Sequence, residues 1–441
     1  MAHLLDFVTS SGHGAMTGRA MHVNRQVTAL DLAVIGAVQR RLHDVPVAFV
    51  LWDGATLRHT IADPVATVTI HDRPTLWRLA WSPDLTFGDA YTDGRLEVAG
   101  DLVALLEAIY KSAPMTSYDT AMSRSGSWLR AARSVARARS NVHHHYDLGN
   151  AFYRLWLDDE MLYTCAYFAD PTMTLEAAQI AKMDLVCRKL RLRPGERVVE
   201  AGCGWGSLAL YMARRYGVRV TAYNVSREQV AHARARVAAE HLEGMVELVE
   251  DDYRSIRGEF DVFVSIGMLE HVGLRQLATF GDVMNRVLVR PQGRGLVHFI
   301  GRNYPAPLHP WIERRIFPGA YAPTLGEMVG DVLGPHDFAV VDVENLRRHY
   351  TKTLAEWRRR FEGATAAVAR MFDPSFVRLW RLYLAGSEAA FDTGYLQLFQ
   401  VLFARATTND GWWTRREVYA SPGASCPPAL PVHADLPPFL E

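Results

Sequence analysis

The run Val198-Val199-Glu200-Ala201-Gly202-Cys203-Gly204-Trp205-Gly206 constrains this chain more than any other. Two β-branched residues lead into glycines at alternate positions, and residues 207–216 then read as a helix stopped by Gly217. A strand, a glycine turn and a helix in that order let the backbone approach a ligand closely and aim free N–H groups at it. A dinucleotide fingerprint would place its third glycine later and an acid about 20 residues on. Here Tyr223-Asn224 ends the next strand, so that ligand is not implied. A tight turn with no ligand stays the plain alternative.

The same alternation runs onward. Strands are expected at 197–201, 218–223, 246–249, 260–266, 296–300, 338–343 and 395–403, with a helix over 174–190 and another from Ser226. Seven strands with interleaved helices make an α/β, doubly wound, Rossmann-like domain over 143–408. Ahead of it, 28–112 reads as a small α+β domain. Thr28 is placed to cap a helix, 45–52 is a strand closed by an Asp53-Gly54 hairpin turn, 65–70 alternates as a half-buried strand, and 102–110 is helical. Residues 1–27 read as a flexible N-terminus, and 409–441 as a tail packed through Trp412 and Trp413.

Residues 113–142 form a basic linker with Arg124, Arg130, Arg133, Arg137 and Arg139, and no acid after Asp119. Trp128, Leu129, Ala132, Val135 and Ala136 fall at helical spacing. The stretch is either a membrane-surface helix or a solvated linker. Overall, 48 basic and 48 acidic side chains cancel, so any attraction to a polyanion must come from such local clustering. No apolar run suits a transmembrane helix, and the first residues lack a secretion signal. Cys165, Cys187, Cys203 and Cys426 show no paired spacing, and the adjacent His143, His144 and His145 rarely share a face. A cytoplasmic protein with no metal site is expected.

Five segments carry a resemblance: His145-Tyr146-Asp147-Leu148-Gly149-Asn150, Tyr163-Thr164-Cys165-Ala166-Tyr167-Phe168, the glycine loop, Gly267-Met268-Leu269-Glu270-His271-Val272-Gly273 and Ile316-Phe317-Pro318-Gly319. In this order and spacing they resemble the cyclopropane-fatty-acyl-phospholipid synthases. These are class I S-adenosylmethionine-dependent methyltransferases, related to the mycolic acid cyclopropane synthases. Phe87-Gly88-Asp89-Ala90-Tyr91-Thr92-Asp93-Gly94 is similar to that family's lipid-binding domain. The resemblance implies an enzyme that moves a methylene from S-adenosylmethionine to the cis double bond of an unsaturated acyl chain on a phospholipid. It also implies a helical cover over the acyl site, peripheral contact with the inner leaflet and a possible homodimer.

An alkene is a poor nucleophile, so the donor must be held in line with it, and the positive charge that follows must be kept from water. A base must take up a proton beside the migrating methyl. The family uses bound bicarbonate. The resemblance puts its ligands at Cys165, Glu270, His298 and Tyr350, with the Ile300 backbone. It puts S-adenosylmethionine on Tyr146, Gly202, Gly204, Asn224, Val225, Gln229, Asp252 and Tyr253. Plainer readings stand beside these: Cys165 as a buried small hydrophobe, His298 as a core histidine, Glu270 as a helix cap, and Ser226-x-x-Gln229 as a capping box. Relatives often carry a Thr-Leu or Thr-Ile pair at Asn224-Val225, and a cysteine at Ser387. A glutamate beside bicarbonate is a puzzle that a donated bicarbonate O–H would resolve. Rival readings are a methyl- or methylene-branching enzyme and a non-catalytic lipid-binding protein. A nucleic acid methyltransferase is disfavoured by the neutral balance and the missing Asn/Asp-Pro-Pro-aromatic motif.

Overall fold

The computed structural model describes residues 26–58, 60, 62–112 and 148–419. Tyr146, the histidine run, Cys426 and the basic stretch at 113–142 lie outside the described residues.

The first half builds a four-stranded sheet in the order β2-β1-β3-β4. Helix α1 (Ala29–Arg41) starts on Thr28, whose hydroxyl accepts from the Asp31 N–H while Asp31 answers the Thr28 backbone, a full capping box. Strands β1 (Val47–Leu51) and β2 (Thr56–Arg58) pair antiparallel across the expected turn, where Gly54 has φ 87°. Strand β3 (Ala66–Ile70) alternates buried and half-buried residues beside β1. Two helices, α2 (Arg73–Trp81) and α3 (Pro83–Thr92), and strand β4 (Leu96–Gly100) were not foreseen. Prolines at the first helical turns start both helices, but Ser82 alone separates them, which obscures their periodicity. Helix α4 (Leu102–Ser112) closes this half.

Helix α5 (Leu175–Lys189) starts on Thr174, as its spacing predicts, and leads to the second sheet. Its strands are β5 (Arg197–Ala201), β6 (Arg219–Asn224), β7 (Val246–Glu250), β8 (Val262–Ile266), β9 (Arg294–Gly301), β10 (Phe338–Asn345) and β11 (Gln397–Arg405). Their order is β10-β11-β9-β8-β5-β6-β7, parallel except for β11, which runs antiparallel to both neighbours. Helices α6 (Ser207–Tyr216), α7 (Arg227–Ala239) and α8 (Leu277–Val287) supply the crossovers. Helix α6 has its expected bounds because Gly217 takes the left-handed conformation.

After β9 the chain forms a short helix α9 (Pro310–Arg315) and, past β10, a long pair, α10 (Arg347–Met371) and α11 (Pro374–Asp392). Ion pairs lock this pair: Arg358 Nε lies 2.7 Å from Glu388, and Arg381 Nε lies 2.6 Å from Glu362. Helix α11 also packs on α3 and α4, so one continuous core joins the two sheets' helices, from Phe49 and Leu76 to Trp357 and Trp380. Among the described residues, no helix is long and apolar enough to cross a membrane.

Candidate active site

Both cavities of interest lie at the carboxyl ends of the central strands, where doubly wound sheets hold ligands. The smaller, about 150 Å³, is bordered by Gly202, Gly204, Asn224, Val225, Gln229, Asp252 and Tyr253. The Gly202 and Cys203 N–H groups both donate to the Tyr223 carbonyl, at 2.9 and 3.1 Å, which ties the glycine loop to the end of β6. Gly202 has φ 83°, and a Cβ there would sit 2.8 Å from the Met268 side chain; at Gly204 the same position opens on empty space. The first glycine makes room for protein and the second leaves room for a ligand.

Asn224 spends its side chain on the loop. Its Nδ2 donates to the Gly204 carbonyl at 3.0 Å and to Gln229 Oε1 at 2.8 Å, and its Oδ1 accepts from Ser226 N–H. The capping box expected at Ser226 is therefore only half made. Ser226 Oγ accepts the Gln229 N–H, but the Gln229 amide turns to Asn224 because Asn224 already holds the Ser226 N–H. Asp252 is similarly occupied by Arg254, at 2.7 and 2.8 Å. The Tyr253 hydroxyl and Glu200 Oε2 are buried with no partner among the described residues. Burial pushes the Glu200 carboxyl up and the neighbouring Lys182 ammonium down, and Lys182 donates to Thr164 Oγ1 at 2.8 Å.

The larger cavity, about 400 Å³, is mostly apolar and runs from the second sheet into the first half of the chain. Phe49, Val68 and Leu105 border it from one side, and Cys165, Glu270, His298, Ile300 and Tyr350 from the other. Tyr163, Thr164, Gly267 and His271 border both cavities. The Tyr163 and Tyr383 hydroxyls meet at 2.6 Å beside this junction, and Tyr350 lies 4.5 Å from the Phe391 ring.

Glu270 sits in a single helical turn just past β8 and does not cap it; its Oε1 accepts the Ile300 N–H across to β9. Of the Ile300 backbone expected at the anion, the N–H is thus engaged by Glu270. Glu270 Oε2 has no partner among the described residues, and burial raises the carboxyl's pKa to about 7. His298 stands directly opposite Gln400 in the β9–β11 register. Lys189 Nζ donates to Gln400 Oε1 at 2.8 Å, so the Gln400 NH₂ faces His298 Nδ1 at 3.1 Å. Nδ1 then accepts and the proton sits on Nε2, which has no partner among the described residues. Burial, with Lys182 and Lys189 nearby, holds the ring neutral. The Cys165 thiol is buried, which pushes its pKa up and keeps it protonated, and it lies 3.1 Å from the Ala166 carbonyl. Its loop is pinned to α10 by Ala166 N–H to Thr353 Oγ1, at 3.0 Å.

The structure thus gathers the five catalytic-set residues on one cavity and seven of the eight cofactor-set residues on the other, Tyr146 lying outside the described residues. Sequence reasoning missed Gln400, Lys189 and Tyr383. Gln400 lies 102 residues from its partner, and only strand register reveals it. Trp311 is 3 % exposed in the cavity wall, while Arg314 and Arg315 are exposed, Arg315 pairing with Asp89 at 2.9 Å. Of the two tail tryptophans, Trp412 donates to the Lys189 carbonyl while Trp413 is exposed.

The model of the mycolic acid cyclopropane synthetase family matches residues 133–401, and that of a domain of unknown function matches 35–120. A probable fatty acid methyltransferase of Pseudomonas putida is 36% identical over 88% of this chain and all of that protein. The cyclopropane-fatty-acyl-phospholipid synthase of Escherichia coli K12 is 36% identical over 75% of this chain and 86% of that protein. Among solved structures, mycolic acid cyclopropane synthase CmaA1 complexed with SAH and CTAB superposes with a TM-score of 0.58 at 30% identity. It covers 60% of this chain and 98% of that one.

Proposed function

The chain belongs to the mycolic acid cyclopropane synthetase family of S-adenosylmethionine-dependent methyltransferases, and from that premise we propose that it cyclopropanates unsaturated acyl chains of membrane phospholipids. The observation that carries this reading is the shared wall of Tyr163, Thr164, Gly267 and His271, where a donor pocket and a long apolar cavity meet.

When bound, S-adenosylmethionine supplies an electrophilic sulfonium methyl. The open space at Gly204, the unpartnered Glu200 Oε2 and the Tyr253 hydroxyl fit a small, charged, amino-acid-bearing donor. Val225, Gln229 and Asp252 complete the walls of that pocket. Bicarbonate, when bound, supplies the base. Glu270 Oε2 and His298 Nε2, both buried and unpartnered among the described residues, fit a small anion, with the Cys165 thiol and the Tyr350 phenol beside them. With burial raising the Glu270 pKa to about 7, a protonated Oε2 would donate a hydrogen bond to that anion in place of the repulsion a carboxylate would cause. The apolar walls exclude water, and the Tyr163, Tyr350, Tyr383 and Phe391 rings give π faces to positive charge developing on the chain.

Leaflet contact is part of this reading. Trp81, at the end of α2, is 89 % exposed, and Arg41, which borders the large cavity, donates to the adjacent Ala80 carbonyl. An interfacial tryptophan beside the cavity mouth suits a peripheral protein on the cytoplasmic leaflet. The homodimer rests on family likeness alone.

A second reading is favoured by the relative named a probable fatty acid methyltransferase. The same methyl transfer gives a branched chain if the proton leaves from elsewhere. Lipids incubated with S-adenosylmethionine and analysed by mass spectrometry and proton NMR decide. One added CH₂ with loss of the olefinic signal supports ring formation; the same gain with olefinic protons retained supports branching. An undiminished rate in CO₂-depleted buffer would count against bicarbonate.

A further inference from the structure

Arg302 follows β9 directly, two and four residues beyond Ile300 and His298, and all three border the large cavity. Its side chain is 3 % exposed, yet Nε and Nη1 find no hydrogen-bond acceptor among the described residues, and no carboxylate there pairs with it. The Tyr395 ring covers one face of the guanidinium at 5.0 Å and is itself stacked on Tyr110 at 4.8 Å. A π face satisfies charge in part but accepts none of the N–H groups at the guanidinium edge. Tyr110, Tyr395 and His309 border the same cavity. The carboxylate there, Asp84, stands 3.9 Å from His309 Nε2 and forms no ion pair with the guanidinium.

A buried cation without a partner is costly, and a fold tolerates it where an anion from outside completes the site. That anion must arrive with something that occupies an apolar cavity. Four residues of extended backbone separate His298 from Arg302, about 13 Å. An ester-linked chain with its double bond several carbons from the carboxyl end spans that order of distance. Arginine suits the role because its planar fork meets two oxygens of one phosphate.

We propose that Arg302, with His309 at its side, is the subsite for the phosphodiester anion of the phospholipid whose acyl chain fills the cavity. The proposal rests on the lipid-modifying reading above and names how that lipid is recognised: by its phosphate, inside the protein, four residues along the chain from His298.

The test compares the wild type, Arg302→Gln and Arg302→Lys on three substrates carrying the same unsaturated chain in uncharged micelles: phosphatidylglycerol, diacylglycerol and free fatty acid. Arg302→Gln is expected to lower kcat/KM for phosphatidylglycerol about 10- to 100-fold, chiefly through KM, the worth of a charged buried hydrogen-bond set. Diacylglycerol turnover should change less than about twofold, and Arg302→Lys should recover part of the phospholipid preference. Equal losses on both lipids would mean a structural role and overturn the proposal, as would no loss on phosphatidylglycerol. A loss confined to the free fatty acid would assign the site to a carboxylate instead. Stimulation of diacylglycerol turnover by inorganic phosphate, absent in Arg302→Gln, would assign it to the free ion. Binding of the same lipids, read by tryptophan fluorescence without S-adenosylmethionine, reports on the subsite independently of turnover. A wild type that prefers phosphatidylglycerol in binding but transfers no methyl supports the subsite and sinks the chemistry.

Discussion

Glu270 divides its two carboxylate oxygens between a structural and a chemical task. One holds the Ile300 N–H; the other has no partner among the described residues. Its pKa rises from an ordinary 4.5 to about 7 because burial disfavours the charge more than the Ile300 N–H and its own backbone N–H restore it. Between those values the folded protein keeps a proton that the unfolded chain has released, so stability falls as pH rises through that window. Glu270→Gln has no such proton to lose. The melting temperature of ligand-free Glu270→Gln relative to wild type should therefore climb from about pH 5 to about pH 8, while methyl transfer falls. A constant difference across that range would contradict the raised pKa. Glu270 and His298 could be named from the family resemblance their motifs carry. That Glu270 binds Ile300 N–H, and that His298 carries its proton on Nε2, could not. Both depend on groups brought in across the sheet, Gln400 and Lys189 among them.

At the scale of elements, the helices with unambiguous stops were legible. Thr28, Thr174 and Ser226 are real N-caps, and Gly217 ends α6 where a left-handed residue is needed. Helix α10 has no side-chain cap and spends charges on its partner helix, whereas α11 starts on Asp373-Pro374, a capping signal the sequence reading passed over. The Phe87-to-Gly94 segment, read as part of a lipid-binding domain, has a local task as well: it docks α3 on α9. A Cβ on Gly88 would sit 2.4 Å from the Trp311 ring, and Asp89 pairs with Arg315. Gly88→Ala should push this seam apart and cost about 1–3 kcal/mol, the usual penalty for overpacking. Denaturant unfolding measures the loss. An unchanged midpoint would mean that Trp311 yields freely.

At the scale of the molecule, α11 does the joining. It packs on α3 and α4, and one cavity draws walls from both sheets. If a leaflet is met near Trp81, helped by the basic 113–142 stretch, activity on vesicles should rise with anionic lipid and fall with salt as surface attractions are screened. Trp81→Ala should weaken vesicle binding several-fold, as an interfacial aromatic is lost, with S-adenosylmethionine affinity unchanged. Salt-indifferent turnover with intact Trp81→Ala binding would move the contact elsewhere.

What residues 198–206 and their flanking strands and helices determined alone was the sheet, its glycine loop and the chemical class of the groups at its edge. These are properties of neighbours in the chain, set by periodicity, caps and permitted backbone angles. The tertiary structure alone decided which oxygen of Glu270 is engaged, how His298 is oriented, and that Arg302 lies buried among the described residues without an acceptor for its Nε and Nη1. These depend on distant segments packing together, where burial shifts a proton and register chooses a partner; local sequence holds no record of either.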